Sequence, residues 1–138
     1  MSPRVGIDVV PIDRVRRILE RWSDDFSRRV LTEQELDGAP ADRQQRARYV
    51  AGRIALKEAV LKALGTGLRT SLQEVTILRR PSQAPQVRLD GEAAATLAQI
   101  GGTHVEVSLT HDAQLAIAVA WCDGGAETNK DAERMGTR

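Results

Sequence analysis

Two acids and three bases in this sequence have the spacing expected of a site for a divalent cation and phosphate groups. Glu58 directly follows Lys57, and Arg53 and Lys62 lie within one or two helical turns of it. The second acid, Asp8, interrupts a short apolar run near the N-terminus. Magnesium is usually held by one or two carboxylates together with substrate phosphates, and basic side chains bind phosphate oxygens. The pattern predicts magnesium-assisted phosphate chemistry.

Each of these residues also has a structural explanation that the sequence leaves open. Asp8 could cap a neighbouring turn at the end of a strand. The bases around Glu58 could form an ion-pair network with it along an exposed helix. Lys57 argues against that network, because it falls inside an apolar stripe where a charge is costly without a partner. We expect that partner to be a metal ion or phosphate groups.

Residues 52–67 predict the helix that positions these groups. At about 100° per residue, the stripe around Lys57 consists of Val50, Ile54, Leu61 and Leu64. Small side chains line the opposite side, where another element can approach closely; they are Ala51, Ala55, Ala59 and Ala63. We expect the helix to begin between Gln45 and Arg48 and to end at Gly65 and Gly67. The glycine segment lacks the Lys-Ser/Thr of a Walker-type phosphate loop.

The rest of the sequence predicts a single α+β domain. Residues 5–10 predict a buried strand, and the helix after Pro11 has an inward face of Ile12, Val15, Leu19 and Trp22. Thr32 and Glu35 have the spacing of a capping box. A hairpin (74–80 and 86–89), a helix (92–100), strands (105–110 and 115–121) and a turn (111–114) complete the pattern. We expect the domain to cover residues 1–122, with an antiparallel or mixed sheet on the central helix, and residues 123–138 to form a flexible polar tail.

Composition limits the classes of function. The 138 residues suit one domain, and an apolar fraction of 41% is enough for a core. A net charge of +1 and only 3% aromatic residues disfavour a nucleic-acid-binding protein. Cys122 is the one cysteine, so no internal disulfide is possible and a reducing cytoplasm is expected. No run reaches the roughly 20 apolar residues of a membrane span, and none has the form of a signal peptide.

An arginine stripe on the first helix has two explanations. Arg14, Arg17 and Arg21 share one face, and Arg28 continues it if the helix persists that far. Such charges usually form a solvated surface. A basic face of this kind can also dock an acidic helix of a partner protein.

Three segments together resemble the 4′-phosphopantetheinyl transferases, in particular the small holo-acyl-carrier-protein synthase type. Residues 57–59 (Lys-Glu-Ala) and 62–67 (Lys-Ala-Leu-Gly-Thr-Gly) are similar to the family signature. Residues 6–10 (Gly-Ile-Asp-Val-Val) resemble its N-terminal strand, and residues 107–112 (Val-Ser-Leu-Thr-His-Asp) its late strand. The resemblance covers residues 5–121.

The resemblance implies an enzyme that transfers the phosphopantetheine arm of coenzyme A to a serine of an apo acyl carrier protein, with Mg²⁺ as cofactor. It implies that Asp8 and Glu58 hold the metal and, with Lys57, form the catalytic group, with Glu58 as a candidate proton acceptor. Coenzyme A would contact Arg53, Lys57, Lys62, Gly65, Thr66, Ser108, Thr110 and His111. The carrier protein would dock on Arg14, Arg21 and Arg28. Small members form homotrimers with active sites at subunit interfaces, and they serve fatty acid and other lipid biosynthesis in the cytoplasm.

Some positions depart from the family pattern. Ile54 stands where the family usually has an aromatic residue, Leu56 where it has a small one, and Glu106 where it often has a histidine. These changes put the contacts to coenzyme A in doubt more than the chemistry, because the acids and lysines match. The alternatives are a non-catalytic homologue that binds carrier proteins and, less favoured by charge and composition, a small nucleic-acid binder.

Overall fold

The computed structural model describes residues 3–66 and 70–124, which form four α-helices and five strands in an α+β arrangement. In chain order the elements are β1 (Arg4–Pro11), α1 (Ile12–Val30), α2 (Glu33–Asp37), α3 (Arg43–Leu64), a 3₁₀ helix (Leu72–Glu74), β2 (Val75–Leu78), β3 (Gln86–Leu89), α4 (Gly91–Gln99), β4 (Val105–Asp112) and β5 (Leu115–Cys122). The predicted fold class is confirmed. Gly67 and most of the predicted tail, residues 125–138, lie outside the described residues.

Both sheets within the described residues are antiparallel. One contains three strands in the order β1-β5-β4, and the other is the predicted hairpin of β2 and β3. In the larger sheet Asp8 is paired with Ala118, which is paired in turn with Leu109. Because side chains alternate between the faces of a sheet, this row points to the same side, towards α3.

Helix α3 is the centre of the core. Asp42 caps its start by accepting a hydrogen bond from the backbone N–H of Gln45 (3.0 Å), slightly before the predicted start. Gly65 ends it with φ of 75°, a left-handed conformation that favours glycine. β1 crosses α3 very closely at Gly6, where an added Cβ would lie 1.9 Å from the carbonyl oxygen of Ala59. The predicted alanine face of α3 therefore packs against the sheet.

The apolar interior lies between α3 and the elements around it. Its fully buried side chains include Val15, Leu31, Val50, Leu56, Val60, Leu64 and Val75, with alanines of β5 filling the narrow space against the helix. Removing a large apolar side chain from water contributes about 1.5–3 kcal/mol. This burial fixes α3 against β1, and the two acids predicted as metal ligands project from those two elements.

Three local predictions are corrected. Trp22, predicted on the inward face, is 57% exposed, and the next residue, Ser23, has non-helical dihedral angles (φ 45°, ψ −123°). His111 and Asp112 belong to β4, and the turn consists of Ala113 and Gln114, both with positive φ. The paired part of the first hairpin strand is also shorter than predicted, ending at Leu78.

Candidate functional site

Asp8 and Glu58 lie close together where β1 crosses α3. Asp8 follows Gly6 on the inward face of β1, and its side chain is 17% exposed. Burial raises the pKa of Glu58, and the negative charge of Asp8 raises it further, while Lys62 lowers it. Glu58 and Lys62 lie one turn apart on α3, and Lys62 Nζ is 3.0 Å from Asp8 Oδ1, so both acids lie beside the same lysine. The structure therefore brings together the two acids that the sequence predicted as metal ligands.

Lys62 completes this acidic site. Its ammonium donates to the backbone carbonyl of Ile7 (2.9 Å) and to Asp8 Oδ1 (3.0 Å), and its side chain is 53% exposed. A half-exposed lysine can exchange such contacts for a phosphate oxygen at small cost, because water screens both states. Lys62 thus lies beside the two acids that the sequence predicts as metal ligands.

The donor set at this site fits magnesium. Carboxylate oxygens are the hard ligands that Mg²⁺ takes from proteins, and one or two are enough when substrate phosphates supply the others. Among residues 3–66 and 70–124, no group of three or more His, Cys, Asp or Glu side chains could hold a metal ion. An all-protein metal cage is therefore not seen in this part of the chain, and Asp8 with Glu58 would need further ligands from solvent or substrate.

Gly65 and Thr66 follow directly from this site at the end of α3. The Thr66 hydroxyl donates to the carbonyl of Leu61 (3.4 Å), and Arg4 Nε donates to the carbonyl of Ala63 (2.8 Å). Arg4 thereby satisfies one of the free carbonyls of the last helical turn. These contacts hold the start of the glycine segment within one turn of Lys62.

Lys57 does not share this site, and its predicted contact with phosphate groups is corrected. Its side chain is fully buried, forms an ion pair with Glu35 and donates to the carbonyl of Val30 (2.7 Å). Burial lowers the pKa of Lys57, and the carboxylate of Glu35 opposes that effect. The charge inside the apolar stripe is balanced by an acid from α2, because α2 packs against that face of α3. Lys57 therefore contributes a buried anchor to α3.

Glu35 is the important residue that sequence reasoning assigned only to a capping box. Its Oε1 does accept from the backbone N–H of Thr32 (2.9 Å), as predicted. Its Oε2 also accepts from the backbone N–H of Ile77 (3.2 Å) and lies 3.9 Å from Arg53 Nε. The cap explained this acid locally, and the sequence carried no signal that the same side chain is fully buried between α2, β2 and α3.

Arg53 lies at a cavity of about 800 Å³ bounded by α2, α3 and the segment after β2. Its guanidinium group stacks on the ring of Tyr49, 4.3 Å from the ring centre. Only 8% of its side chain is exposed. Arg79 and Arg80 line the same cavity, so its wall is basic and suited to an anionic ligand.

His111 belongs to the same basic region. Burial lowers its pKa, and the positive charges of Arg48, Arg79 and Arg53 lower it further. The imidazole lies over Gly52 of α3, and a Cβ added there would be 3.3 Å from His111 Nε2. That buried nitrogen makes no hydrogen bond within the described residues. The structure therefore brings two predicted coenzyme A contacts, Arg53 and His111, near each other.

Ser108 and Thr110 lie on the other face of the sheet. The predicted alternation of β4 is confirmed, with Ser108 and Thr110 exposed on the face that also carries Glu106. Across β5, Ser108 is aligned with Ile7 of β1, and Thr110 is aligned with Val9. Asp8 lies between Ile7 and Val9 on β1, so its side chain points to the opposite face, towards α3. Within one chain, the predicted coenzyme A contacts therefore lie on different surfaces: Arg53 and His111 in the basic region, and Ser108 and Thr110 on the outer face of the sheet.

The outer face of the sheet is unusually apolar for an exposed surface. Its exposed side chains on β1 and β5 are Val5 (60%), Ile7 (58%), Val9 (48%), Val119 (39%) and Trp121 (37%). Contiguous apolar patches of this kind mark interaction surfaces. The patch adjoins Ser108 and Thr110 on β4.

The arginine stripe is exposed, which agrees both with a solvated surface and with a face that docks an acidic helix. Arg14 and Arg21 lie on α1 before Ser23, and Arg28 lies after the interruption. Arg17 and Arg16 are partly neutralised by Asp13, while Arg21 lies 5.5 Å from the ring centre of Trp22. Trp22, which sequence analysis placed in the core, lies instead beside the basic face.

No helix in the described ranges is long and apolar enough to cross a membrane.

Comparison with known proteins identifies the group to which this chain is similar. The family model described as the 4′-phosphopantetheinyl transferase superfamily matches residues 4–120. Holo-[acyl-carrier-protein] synthases of Nitratidesulfovibrio vulgaris (strain DP4) and Gloeobacter violaceus are each 40% identical, over 117 and 116 residues. The alignments cover 83% of this chain in both cases, and 93% and 88% of the relatives.

Solved structures of holo-[acyl-carrier-protein] synthases are also similar to this chain. The Helicobacter pylori holo-[acyl-carrier-protein] synthase in complex with coenzyme A has a TM-score of 0.71 and 31% identity, covering 84% of this chain and 96% of that one. The Chronobacterium ammoniagenes synthase–coenzyme A complex has a TM-score of 0.77 and 26% identity, covering 90% and 98%. The family match spans both β1 with Asp8 and α3 with Glu58 and Lys62, and the chain therefore belongs to the 4′-phosphopantetheinyl transferase superfamily, among the holo-[acyl-carrier-protein] synthases.

Proposed function

We propose that this protein transfers the 4′-phosphopantetheine arm of coenzyme A to a serine of an apo acyl carrier protein. The serine hydroxyl attacks the pyrophosphate phosphorus that carries the pantetheine arm. A new P–O bond to serine forms, the pyrophosphate bond breaks, and adenosine 3′,5′-bisphosphate leaves. The convergence of Asp8 and Glu58 beside Lys62 carries this proposal, since it brings two carboxylates and a half-exposed cation to one place.

Asp8 and Glu58 would hold Mg²⁺, which when bound neutralises charge on the pyrophosphate oxygens. Lys62 leaves Asp8 to contact a phosphate oxygen and stabilises the charge that develops on the leaving group. Glu58 accepts the serine proton, the role that a positioned carboxylate plays in general base catalysis. Gly65 and Thr66 border the phosphate groups because they follow Lys62 at the end of α3.

The acceptor is an acyl carrier protein of fatty acid or other lipid biosynthesis in the cytoplasm. Its acidic recognition helix docks on Arg14, Arg21 and Arg28, whose exposed guanidinium groups complement carboxylates. A carrier protein docked on α1 would lie near the metal site, because α1 follows β1 directly and Asp8 lies four residues before the first residue of α1.

The working unit is a homotrimer with active sites at subunit interfaces. The outer face of the sheet is apolar, and covering it in a neighbouring copy would remove Ile7 and Val9 from water. The same association would let the basic region of one copy, with Arg53 and His111, approach the acidic site of another. Coenzyme A would then bind across the interface, with Ser108 and Thr110 at its border.

A direct test combines the protein with Mg²⁺, coenzyme A and an apo acyl carrier protein, and measures the carrier by mass spectrometry. The expected result is a gain of one phosphopantetheine group on the carrier serine. No gain with several carriers, despite measurable carrier binding, would support the non-catalytic homologue instead. Retention of both Asp8 and Glu58 favours the enzyme.

A further inference from the structure

Arg53 is held unusually tightly for a side chain at the wall of a cavity. Its aliphatic part and Nε are buried, and Nε makes no hydrogen bond within residues 3–66 and 70–124. Tyr49 covers one face of the guanidinium group at 4.3 Å. The group nevertheless borders the cavity that Arg79 and Arg80 also line. A buried cation with an unsatisfied donor needs a compensating charge close by.

Glu35 provides that charge. Its Oε2 lies 3.9 Å from Arg53 Nε, which is an ion-pair distance without a direct hydrogen bond. The carboxylate cannot turn away, because Oε2 accepts from Ile77 N–H and Oε1 accepts from Thr32 N–H. Two backbone groups from different elements therefore fix its orientation.

Tyr49 joins the same arrangement. Its hydroxyl donates to the backbone carbonyl of Glu35 (2.7 Å), so the ring that supports Arg53 is tied to the residue that neutralises it. Glu35 thus determines both the electrostatic and the steric surroundings of the guanidinium group. Without its negative charge, Arg53 and Lys57 would be two buried cations on neighbouring turns of α3, and they would repel each other.

We propose that Glu35 is a positioning residue for coenzyme A, which holds the Arg53 guanidinium group at the cavity wall so that it can bind an anionic group of that substrate. This inference rests on the proposed function through the assignment of Arg53 to coenzyme A. The side chain of Glu35 itself is fully buried. Its effect is transmitted through the fixed orientation of Arg53.

A double-mutant cycle tests the proposal in a Lys57→Met background, which avoids leaving Lys57 buried without its partner. The four proteins carry Lys57→Met alone, with Glu35→Gln, with Arg53→Met, and with both. Isothermal titration calorimetry measures the Kd for coenzyme A of each one, and circular dichroism verifies folding. Glu35→Gln should weaken coenzyme A binding roughly tenfold when Arg53 is present and by less than about twofold when Arg53 is replaced.

Equal effects of Glu35→Gln with and without Arg53 would overturn the proposal, since a purely structural role would act in both backgrounds. Steady-state kinetics adds a second readout: the KM for coenzyme A should rise while the KM for the carrier protein stays the same. If the variants with Glu35→Gln fail to fold, Glu35→Asp replaces them, because it keeps the charge but withdraws it from Arg53. Failure of the unmodified protein to bind coenzyme A at all would remove the proposed function itself, whereas normal activity with no coupling would remove only the role of Glu35.

Discussion

The ammonium group of Lys62 lies 3.0 Å from Asp8 Oδ1, although 54 residues separate them along the chain. This contact joins the first strand to the end of the central helix at the place where Glu58 also lies. The lysine neutralises part of the negative charge that two neighbouring carboxylates create. It therefore keeps the pair of acids compatible with the fold before any cation binds.

Replacing Asp8 or Glu58 should remove transfer while preserving the fold. We expect Asp8→Ala and Glu58→Ala each to lower kcat/KM by roughly a hundredfold or more, because each deletes a ligand of the charge-neutralising ion. Thermal unfolding should show a transition close to that of the unmodified protein. Near-normal turnover of Glu58→Ala at ordinary magnesium concentrations would refute the site assignment.

Removing one partner of the buried Lys57–Glu35 ion pair should destabilise the protein more than removing both partners. Glu35→Leu leaves Lys57 as an unpaired buried cation, and we expect a loss of about 3–5 kcal/mol in the free energy of unfolding. Combining Glu35→Leu with Lys57→Met should recover part of that loss, because the unpaired charge of Lys57 is then absent while Arg53 still lacks its carboxylate. Urea unfolding at fixed protein concentration measures both. Equal instability of the single and the double variant would show that the unpaired charge of Lys57 is not the cause.

Arg14 should affect the carrier protein and not coenzyme A. We expect Arg14→Glu to raise the KM for the carrier about tenfold or more, because like charges then face each other across the docking surface. The matched control is Arg88→Glu, which reverses an exposed charge on β3 away from α1. The docking role fails if Arg14→Glu changes the KM values of both substrates equally, or if the control has the same effect.

The outer face of the sheet should control assembly. Ile7→Glu places a charge in the exposed apolar patch, and we expect it to give monomers in sedimentation experiments and to abolish transfer although Asp8 and Glu58 are intact. Glu106→Gln is the control, since it changes a charge on the same face without adding one. A monomeric unmodified protein with full activity would contradict a site shared between copies.

The stability of the protein should depend on His111 in mildly acidic solution. Its pKa is lowered in the folded state by burial and by Arg48, so the unfolded chain binds more protons in the range just below 6.5. Stability should therefore increase as pH is raised through that range, and decrease as pH falls. His111→Gln should make the free energy of unfolding less dependent on pH there. An unchanged pH profile would place His111 in contact with solvent instead.

Much of the fold could be predicted from sequence because the signals are local. The alternation in β4, the helical repeat with its glycine stop in α3, and the spacing of Thr32 and Glu35 each depend on neighbouring residues. Trp22 is the last residue before Ser23 departs from helical geometry, and the periodicity of α1 gives no sign that the helix is interrupted there. A periodic pattern predicts which face of a helix is apolar. It does not show how many turns of that face are covered by the core, because this depends on how the helix packs against other elements.

The candidate site was predicted in part for the same reason. The family resemblance predicts that Asp8 and Glu58 meet, and the crossing of β1 over α3 brings both acids beside Lys62. Lys57 and Glu58 are adjacent in sequence, so they project about 100° apart on the helix and reach different surroundings. The partner of Lys57 came from α2, an element whose packing could not be read from spacing.

Binding of a divalent cation to Asp8 and Glu58 is the most direct test of the proposed site. Electron paramagnetic resonance of Mn²⁺, used in place of Mg²⁺ with coenzyme A present, should show one bound ion per chain in the unmodified protein. Asp8→Asn and Glu58→Gln should each weaken that binding strongly, and the double variant should bind little worse than either single variant, because both side chains hold the same ion. Normal Mn²⁺ binding by either single variant, or independent and additive losses that indicate two separate ions, would contradict a single metal site shared by Asp8 and Glu58.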